Sequence, residues 1–281
     1  MRSNTIKSFA KINLSLGVLK KINSNFHKIE TLISFIDLHD KIKIKQTRGK
    51  KHHIVFYGKF SKKIPKKNTI TKLFNILDHK KLLNDKKYLV KIYKKIPQRS
   101  GLGGGSMNAS TILNYLINKN KIVLSNKNTM KIAKKIGSDV IFGLKKKNSI
   151  LLKNGKILRL KKKIKLYTLI IKPNFGCSTK KIYENVNSFS KPVLCKNSSF
   201  FNLPKLRKLQ NDLEKVVFLK YPILSKIKKN MVNLPDILFV RMTGSGSALV
   251  GYFRSKKSLF NAAELLKSKY KNYWCILSKT I

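Results

Sequence analysis

The stretch IPQRSGLGGGSMNAS, residues 96–110, holds four of the fourteen glycines of a 281-residue chain within five positions. Before it, YLVKIYKKIP (88–97) alternates like a strand and ends at Pro97. Behind it, Ile112, Leu113, Leu116 and Ile117 mark the apolar side of a helix from about Ser106 to Asn118. Glycines let a backbone turn through positive φ and come close to a ligand. Several N–H groups then face one anion, and the following helix adds its unpaired amides and the positive end of its dipole. Ser106 stands at the expected helix start, where its hydroxyl serves as a cap or a metal contact. The loop is not G-x-x-x-x-G-K-[ST], because no Lys follows Gly105. It is not G-x-G-x-x-G either, because Ser106 occupies the third glycine's place. A merely structural turn is the competing reading. Three consecutive glycines weigh against it, since each unneeded one costs about 0.5–1 kcal/mol of order.

Composition bounds the rest. Hydrophobic residues make up 42%, enough for a core, which excludes general disorder. Lys and Arg total 63 against 11 acidic residues, a net charge of +52. Such a charge suggests nucleic acid or a membrane surface. The lysines, however, are spread over the whole length beside abundant Asn and Ile, as an AT-rich coding sequence yields. Only seven of the cations are Arg, whose planar fork reads phosphates and guanines. The charge therefore favours anionic ligands without naming one. Cys177, Cys195 and Cys275 lack Cys-x-x-Cys spacing, and five histidines add no ligand pattern, which argues against a metal cluster or disulfide framework. Lys11 and Asn13 interrupt the one apolar stretch near the start, and no run approaches the roughly 18 residues of a membrane span. A soluble, cytoplasmic protein is expected.

Along the chain, residues 5–19 read as a strand, with Ala10, Ile12, Leu14, Leu16 and Val18 on one face and Lys11, Asn13, Ser15 and Gly17 on the other. Residues 28–45 continue as strand, 46–67 are ambiguous, and a helix is expected over 69–83. A further helix ends at Gly137. SILLKNGKILRL (149–160) reads as a hairpin, because Asn154 and Gly155 suit a two-residue turn with positive φ. A strand over 165–173 and a Ser-, Asn- and Pro-bearing connection over 187–207 follow, then helices within 208–230. Strands flank Gly244, Ser245 and Gly246; a helix capped by Ser255 and a last strand, YWCILSK, complete the chain. The mixture lacks regular βαβ periodicity and favours α+β, with a seam near 160.

Among the eleven carboxylates, Asp139 differs. In KKIGSDVIFGL it follows a helix-ending Gly and precedes Val140, Ile141 and Phe142. It is either a candidate base or the N-cap of a short helix over 139–143, and local sequence does not separate the two. Lys11 shares a strand face with Asn13 and Ser15. If that face lines a cleft, Lys11 neutralises a phosphate or lowers a hydroxyl's pKa; in isolation the solvated strand lysine is the stronger reading.

Four segments in this order, FAKINLSLGV (9–18), IPQRSGLGGGSMNAS, GSDVIF (137–142) and RMTGSGSALVGYF (241–253), resemble the motifs of the GHMP kinases. NFHKIETLISFIDLHDKIKI and the NDLE at 211–214 are similar to that pattern too. The resemblance implies a two-domain α+β fold, residues 1–160 with a left-handed βαβ unit and residues 161–281 ferredoxin-like. It implies Asp139 as catalytic base with Lys11 as its partner. It implies ATP held by Pro97, Gln98, Arg99, Ser100, Gly101, Leu102, Gly103, Gly104, Gly105, Ser106 and Met107, with Ser106 a contact to Mg²⁺. It also implies a small-molecule cytidyl diphosphate substrate. His27 would read the cytosine edge, Phe26 and Tyr183 would stack on the ring, and Asn13 and Thr179 would meet the diphosphate or polyol part. The loop of Gly244, Ser245 and Gly246 would close over phosphates or substrate. Phe26 departs from the Tyr usual at its place; Arg99, Ser100 and Met107 depart from the commoner small residues. No membrane partner or nucleic-acid role is expected, and the chain is a monomer or a homodimer. Two rivals stand: another kinase of this family, acting on homoserine, mevalonate or a sugar, and a basic, non-catalytic RNA-binding protein, whose affinity would fall steeply with salt.

Overall fold

The computed structural model describes residues 5–23, 26–160, 165–195 and 202–281. Residues 161–164, next to the expected seam, and residues 196–201 of the expected connection lie outside the described residues.

Two long strands open the chain, β1 (Ile6–Lys21) and β2 (His27–Thr47). In β1 both faces are covered: Ala10, Ile12, Leu14, Leu16 and Val18 are buried, and so are Lys11, Asn13 and Ser15. The ambiguous stretch contains β3 (His53–Tyr57), followed by α1 (Thr69–His79) and β4 (Lys87–Tyr93). β3 runs parallel to β4, with α1 as the crossover of a βαβ unit. α1 starts at Asn68, whose side chain accepts the amides of Ile70 and Thr71 while Thr71 Oγ1 accepts the Asn68 N–H. It ends at His79 instead of running to residue 83, because Lys81, Asn84 and Asp85 all take positive φ.

α2 (Gly104–Asn118), α3 (Asn126–Ile136) and α4 (Val140–Gly143) follow, then β5 (Ser149–Leu151) and β6 (Ile157–Arg159). α3 stops at Gly137, as expected. The hairpin is present but its turn differs. Leu152 and Lys156 still pair, so the loop is three residues long, and only Gly155 (φ 79°) is left-handed. Such loops place one αL residue after a type I turn, and glycine suits it. The strand order is β3-β4-β2-β5-β6, with β1 also paired to β2.

The second sheet contains β7 (Tyr167–Lys172), β8 (Phe239–Met242), β9 (Leu249–Phe253) and β10 (Trp274–Lys279) in the order β10-β7-β9-β8, all antiparallel. With α9 (Lys256–Lys269) between β9 and β10, the fourth strand lies beside the first and the third beside the second, a ferredoxin-like arrangement. Ser255 caps α9 by accepting the Ser258 N–H, as its sequence position suggests. α5 (Thr179–Glu184), α6 (Leu203–Lys208), α7 (Leu213–Lys220) and α8 (Pro222–Val232) occupy the connection from β7 to β8. Leu169, Ile171, Leu213, Val217, Leu249, Phe253 and Leu266 form the core of this part.

Contacts group the chain into two units that interleave along the sequence. The first comprises Met1–Ala10, Leu38–Gln98 and Gly103–Lys146; the second comprises Lys11–Asp37, Arg99–Leu102 and Lys147–Ile281. The units interleave because β1, β2 and the glycine segment each pass from one unit to the other. No helix among the described residues is long and apolar enough to cross a membrane. Phe253 lies fully buried in an inner strand of the second sheet. Phe253→Ala is expected to lower stability by about 3–5 kcal/mol in urea unfolding.

Candidate active site

In the second unit, three distant sequence segments meet through backbone and side-chain hydrogen bonds. The Lys11 N–H donates to the Leu102 carbonyl at 3.0 Å, and the Asn13 N–H donates to Thr243 Oγ1 at 3.1 Å. Thr243 Oγ1 in turn donates to the Gly101 carbonyl at 3.1 Å. Gly101 has φ 77°, and a Cβ there would lie 1.8 Å from the Thr243 carbonyl oxygen, so no other residue fits. Asn211 steadies the far side by donating to the carbonyls of Met242 and Gly244, both at 2.8 Å. Glu214 accepts the Met242 N–H at 2.7 Å and a 2.5 Å bond from Lys228.

Lys11 is only 3% exposed, so it is not the solvated strand lysine that isolation suggested. Its Nζ donates to Asn13 Oδ1 at 2.7 Å, and Asn13 Nδ2 donates to Thr31 Oγ1 at 2.8 Å. The lysine's direction is thus set by an amide that is itself held. Thr179 is exposed, and its Oγ1 lies 2.9 Å from Ser245 Oγ. The loop of Gly244, Ser245 and Gly246 is buried, and the residues after it are bonded onto the glycine-rich segment 96–110: the Ser247 N–H reaches the Arg99 carbonyl and the Ala248 N–H the Ser100 carbonyl.

His27 forms a separate group with Tyr183, the ring centroids 5.2 Å apart. Both of its ring nitrogens are buried without a hydrogen-bond partner among the described residues. Burial, and then the charge of Lys21, push its pKa below the ordinary 6.5. A neutral imidazole offers one donor and one acceptor, the complement of a nucleobase edge. Phe26, next to His27 in sequence, is 66% exposed.

In the first unit the glycine segment opens α2. Gly103 occupies the N-cap with φ 70°, and no side chain caps the helix. Ser106 is therefore the third helical residue and not the cap its position suggested. The leading amides are left without a side-chain acceptor, which suits an anion. A Cβ on Gly104 would lie 2.9 Å from Ile96 Cγ2, so the helix start can approach the end of β4 only as glycine. The Thr69 hydroxyl donates to the Gly105 carbonyl at 2.9 Å, and Gln98 is anchored to the carbonyls of Phe60 and Lys62. Asp139 is half-buried and opens α4, which packs on α2. It occupies the N-cap position, yet its side chain makes no capping bond. Asn114 of α2 donates to the carbonyls of Gly143 and Leu144, tying the end of α4 to α2.

Asp40 was not singled out by the sequence reading. It is fully buried, ion-paired with Lys94, and accepts the N–H groups of Lys95 and Ile96 at 2.7 and 2.9 Å and Asn108 Nδ2 at 2.9 Å. One carboxylate thus grips the chain on both sides of the glycines. A signal was available: Asp40 lies in register with Leu38 and Ile42, and Lys94 with Val90 and Ile92, each a charge on an apolar strand face. Among the described residues no group of three or more His, Cys, Asp or Glu is placed to hold a metal ion.

The GHMP kinases N terminal domain matches residues 68–146 and the GHMP kinases C terminal domain matches residues 198–272. A 4-diphosphocytidyl-2-C-methyl-D-erythritol kinase of Pelagibacter ubique (strain HTCC1062) is 54% identical over 282 residues, covering all of both chains. The enzyme of the same name from Caldanaerobacter subterraneus subsp. tengcongensis is 33% identical over 98% of this chain and 96% of its own. The chain belongs to the GHMP kinase family. Among solved structures, a 4-(cytidine 5'-diphospho)-2C-methyl-D-erythritol kinase aligns with TM-score 0.78 and 22% identity, over 99% of this chain and all of that one. A homoserine kinase from Cytophaga hutchinsonii aligns with TM-score 0.70 and 14% identity, over all of this chain and 96% of that one. At those identities the likeness is one of fold.

Two outcomes are expected from these contacts. Asp40→Ala leaves Lys94 buried without its counter-charge and is expected to destabilise the protein by about 3–5 kcal/mol in chemical unfolding. His27 is expected to titrate below 6.5 by NMR. Because its folded pKa is depressed, its contribution to stability is complete above the unfolded value near 6.5 and is lost as pH falls from there through the folded pKa.

Proposed function

We infer that this chain transfers the γ-phosphoryl group of ATP to the 2-hydroxyl of 4-diphosphocytidyl-2-C-methyl-D-erythritol, in non-mevalonate isoprenoid precursor biosynthesis. The observation that carries this reading is the 54% identity, without truncation of either chain, to the Pelagibacter kinase of that name. The likeness to homoserine kinase supports no rival substrate, since it is one of fold. The RNA-binding alternative leaves the buried Lys11 and the uncapped glycine helix without a use.

Phosphoryl transfer asks mainly for positioning and charge stabilisation. The amides at the start of α2, with the segment from Pro97 to Met107, hold the ATP phosphates. Asp139 accepts the proton of the substrate hydroxyl; its carboxylate is not committed to capping α4. Lys11, aimed by Asn13, steadies the oxyanion that develops. Mg²⁺, when bound, neutralises charge on the phosphates; with no acidic cage among the described residues, phosphate oxygens and the Ser106 hydroxyl would hold it. Neutral His27 reads the cytosine edge, with Tyr183 and Phe26 against the ring faces. Asn13, Thr179 and the loop of Gly244, Ser245 and Gly246 meet the diphosphate and polyol. Residues 1–160 carry the ATP loop and Asp139 as one sequence domain and residues 161–281 form the other. The enzyme works in the cytoplasm as a monomer or homodimer.

ATP consumption with the cytidyl substrate, for wild type and Asp139→Asn, tests the assignment. Turnover is expected to fall by about 10²–10⁴ while ATP affinity changes little. Equal turnover in the two proteins would remove Asp139 from the mechanism, and faster phosphorylation of homoserine or mevalonate by the wild type would replace the substrate.

A further inference from the structure

β7 ends at Lys172, whose side chain is buried. Its Nζ donates to the Pro173 carbonyl at 2.8 Å and to the Phe175 carbonyl at 2.7 Å, so the chain turns around its own ammonium as it leaves the sheet. Among the described residues no carboxylate pairs with this charge. A buried ammonium is costly without hydrogen-bond acceptors, so the fold keeps these two carbonyls where the charge needs them. The Phe175 ring stacks on Tyr221, the centroids 5.0 Å apart, which gives the turn a second hold.

Residues assigned above to nucleotide or substrate rest on this turn, all within the second unit. The Phe175 carbonyl also accepts Ser247 Oγ at 2.7 Å, directly after the loop of Gly244, Ser245 and Gly246. A Cβ on Gly246 would lie 3.4 Å from Cys177 Sγ, so that loop and the turn are in contact. A Cβ on Gly176 would lie 2.4 Å from Arg99 Cβ, so only glycine lets the turn approach Arg99 this closely. Two residues beyond Cys177, Thr179 opens α5, and its Oγ1 lies 2.9 Å from Ser245 Oγ. The ammonium thus fixes a carbonyl that the 173–177 turn shares with the 244–247 segment. The meeting of Thr179 and Ser245 depends on both pieces keeping their places.

We propose that Lys172 is a positioning residue for the cytidyl substrate: its ammonium folds residues 173–177 so that Thr179 and Ser245 stand side by side. This rests on the substrate inferred above and on the roles given there to those two residues. Steady-state kinetics of the full chain test it. Lys172→Met keeps the apolar stem and removes the donors. It is expected to raise KM for the cytidyl substrate about tenfold, the worth of a hydrogen bond from a charged group. kcat is expected to change less than about threefold, because binding lost equally from ground and transition states leaves kcat alone. A role in stability alone would lower the active fraction, and with it kcat, without moving KM. Thr179→Ala is expected to raise KM as well, and the double variant to go no more than about twofold beyond the larger single effect, because both act through one contact. Should Lys172→Met fail to fold, Lys172→Gln, which keeps one donor group, carries the same test with a smaller rise in KM. Unchanged KM in the folded variant, a fall in kcat alone, or KM effects of Lys172 and Thr179 that multiply would each overturn the proposal. Wild-type turnover separates the two claims. None with the cytidyl substrate refutes the proposed function, whereas normal wild-type turnover with unchanged KM in Lys172→Met refutes only the role of Lys172.

Discussion

Asp40 lies without exposed surface in β2 and gathers the Lys94 ammonium, the N–H groups of Lys95 and Ile96, and the Asn108 amide. The chain between Ile96 and Asn108 contains the whole glycine-rich segment, so the carboxylate holds it at both ends. An acid buried alone would be costly; here a cation and three further donors satisfy it. Between the anchored ends, Gly104 allows α2 to start against Ile96 and Gly103 turns through positive φ. The helix begins with its amides uncapped because the residue at the N-cap has no side chain to offer.

A comparable economy runs through the second unit. Glu30, Asp212 and Glu214 each accept backbone N–H groups from distant segments, at Val193 and Leu194, at Val18 and at Met242. In a chain with 63 basic and 11 acidic residues, carboxylates are scarce, and several are spent as backbone clamps. Each such clamp joins chain positions far apart in sequence. Where no acid is present, backbone approach does the work: Gly101 lies against Thr243, and Asn211 holds the two carbonyls flanking that residue.

Much of the fold was legible because it depends on local periodicity and caps. The alternation in β1, the stop of α3 at Gly137 and the Ser255 cap of α9 are each set by a few adjacent residues. The misses share a cause. Ser106 looked like a helix start because its hydroxyl suits one, but the close fit of Gly104 against Ile96 lets α2 begin two residues earlier. Asp139 looked equally suited to capping and to chemistry, and the absence of a capping bond emerged only with the helix in place. Asp40 went unnoticed because an acid on an apolar strand face has meaning only beside its partner. The β2–β4 register, which pairs Lys41 with Tyr93, carries Asp40 toward Lys94 one position further on.

By itself the sequence determined the glycine segment, the order of strands and helices around it and the family to which these motifs point, because those depend on residue type and spacing along one stretch of chain. Only the tertiary structure decided that Lys11 is buried and aimed by Asn13, that Gly101 must pass within contact of Thr243, and that Asp40 anchors the loop. Those outcomes depend on which strands pair and in what register, and hydrogen bonds between residues 230 and 142 positions apart leave no periodic trace in the chain that makes them.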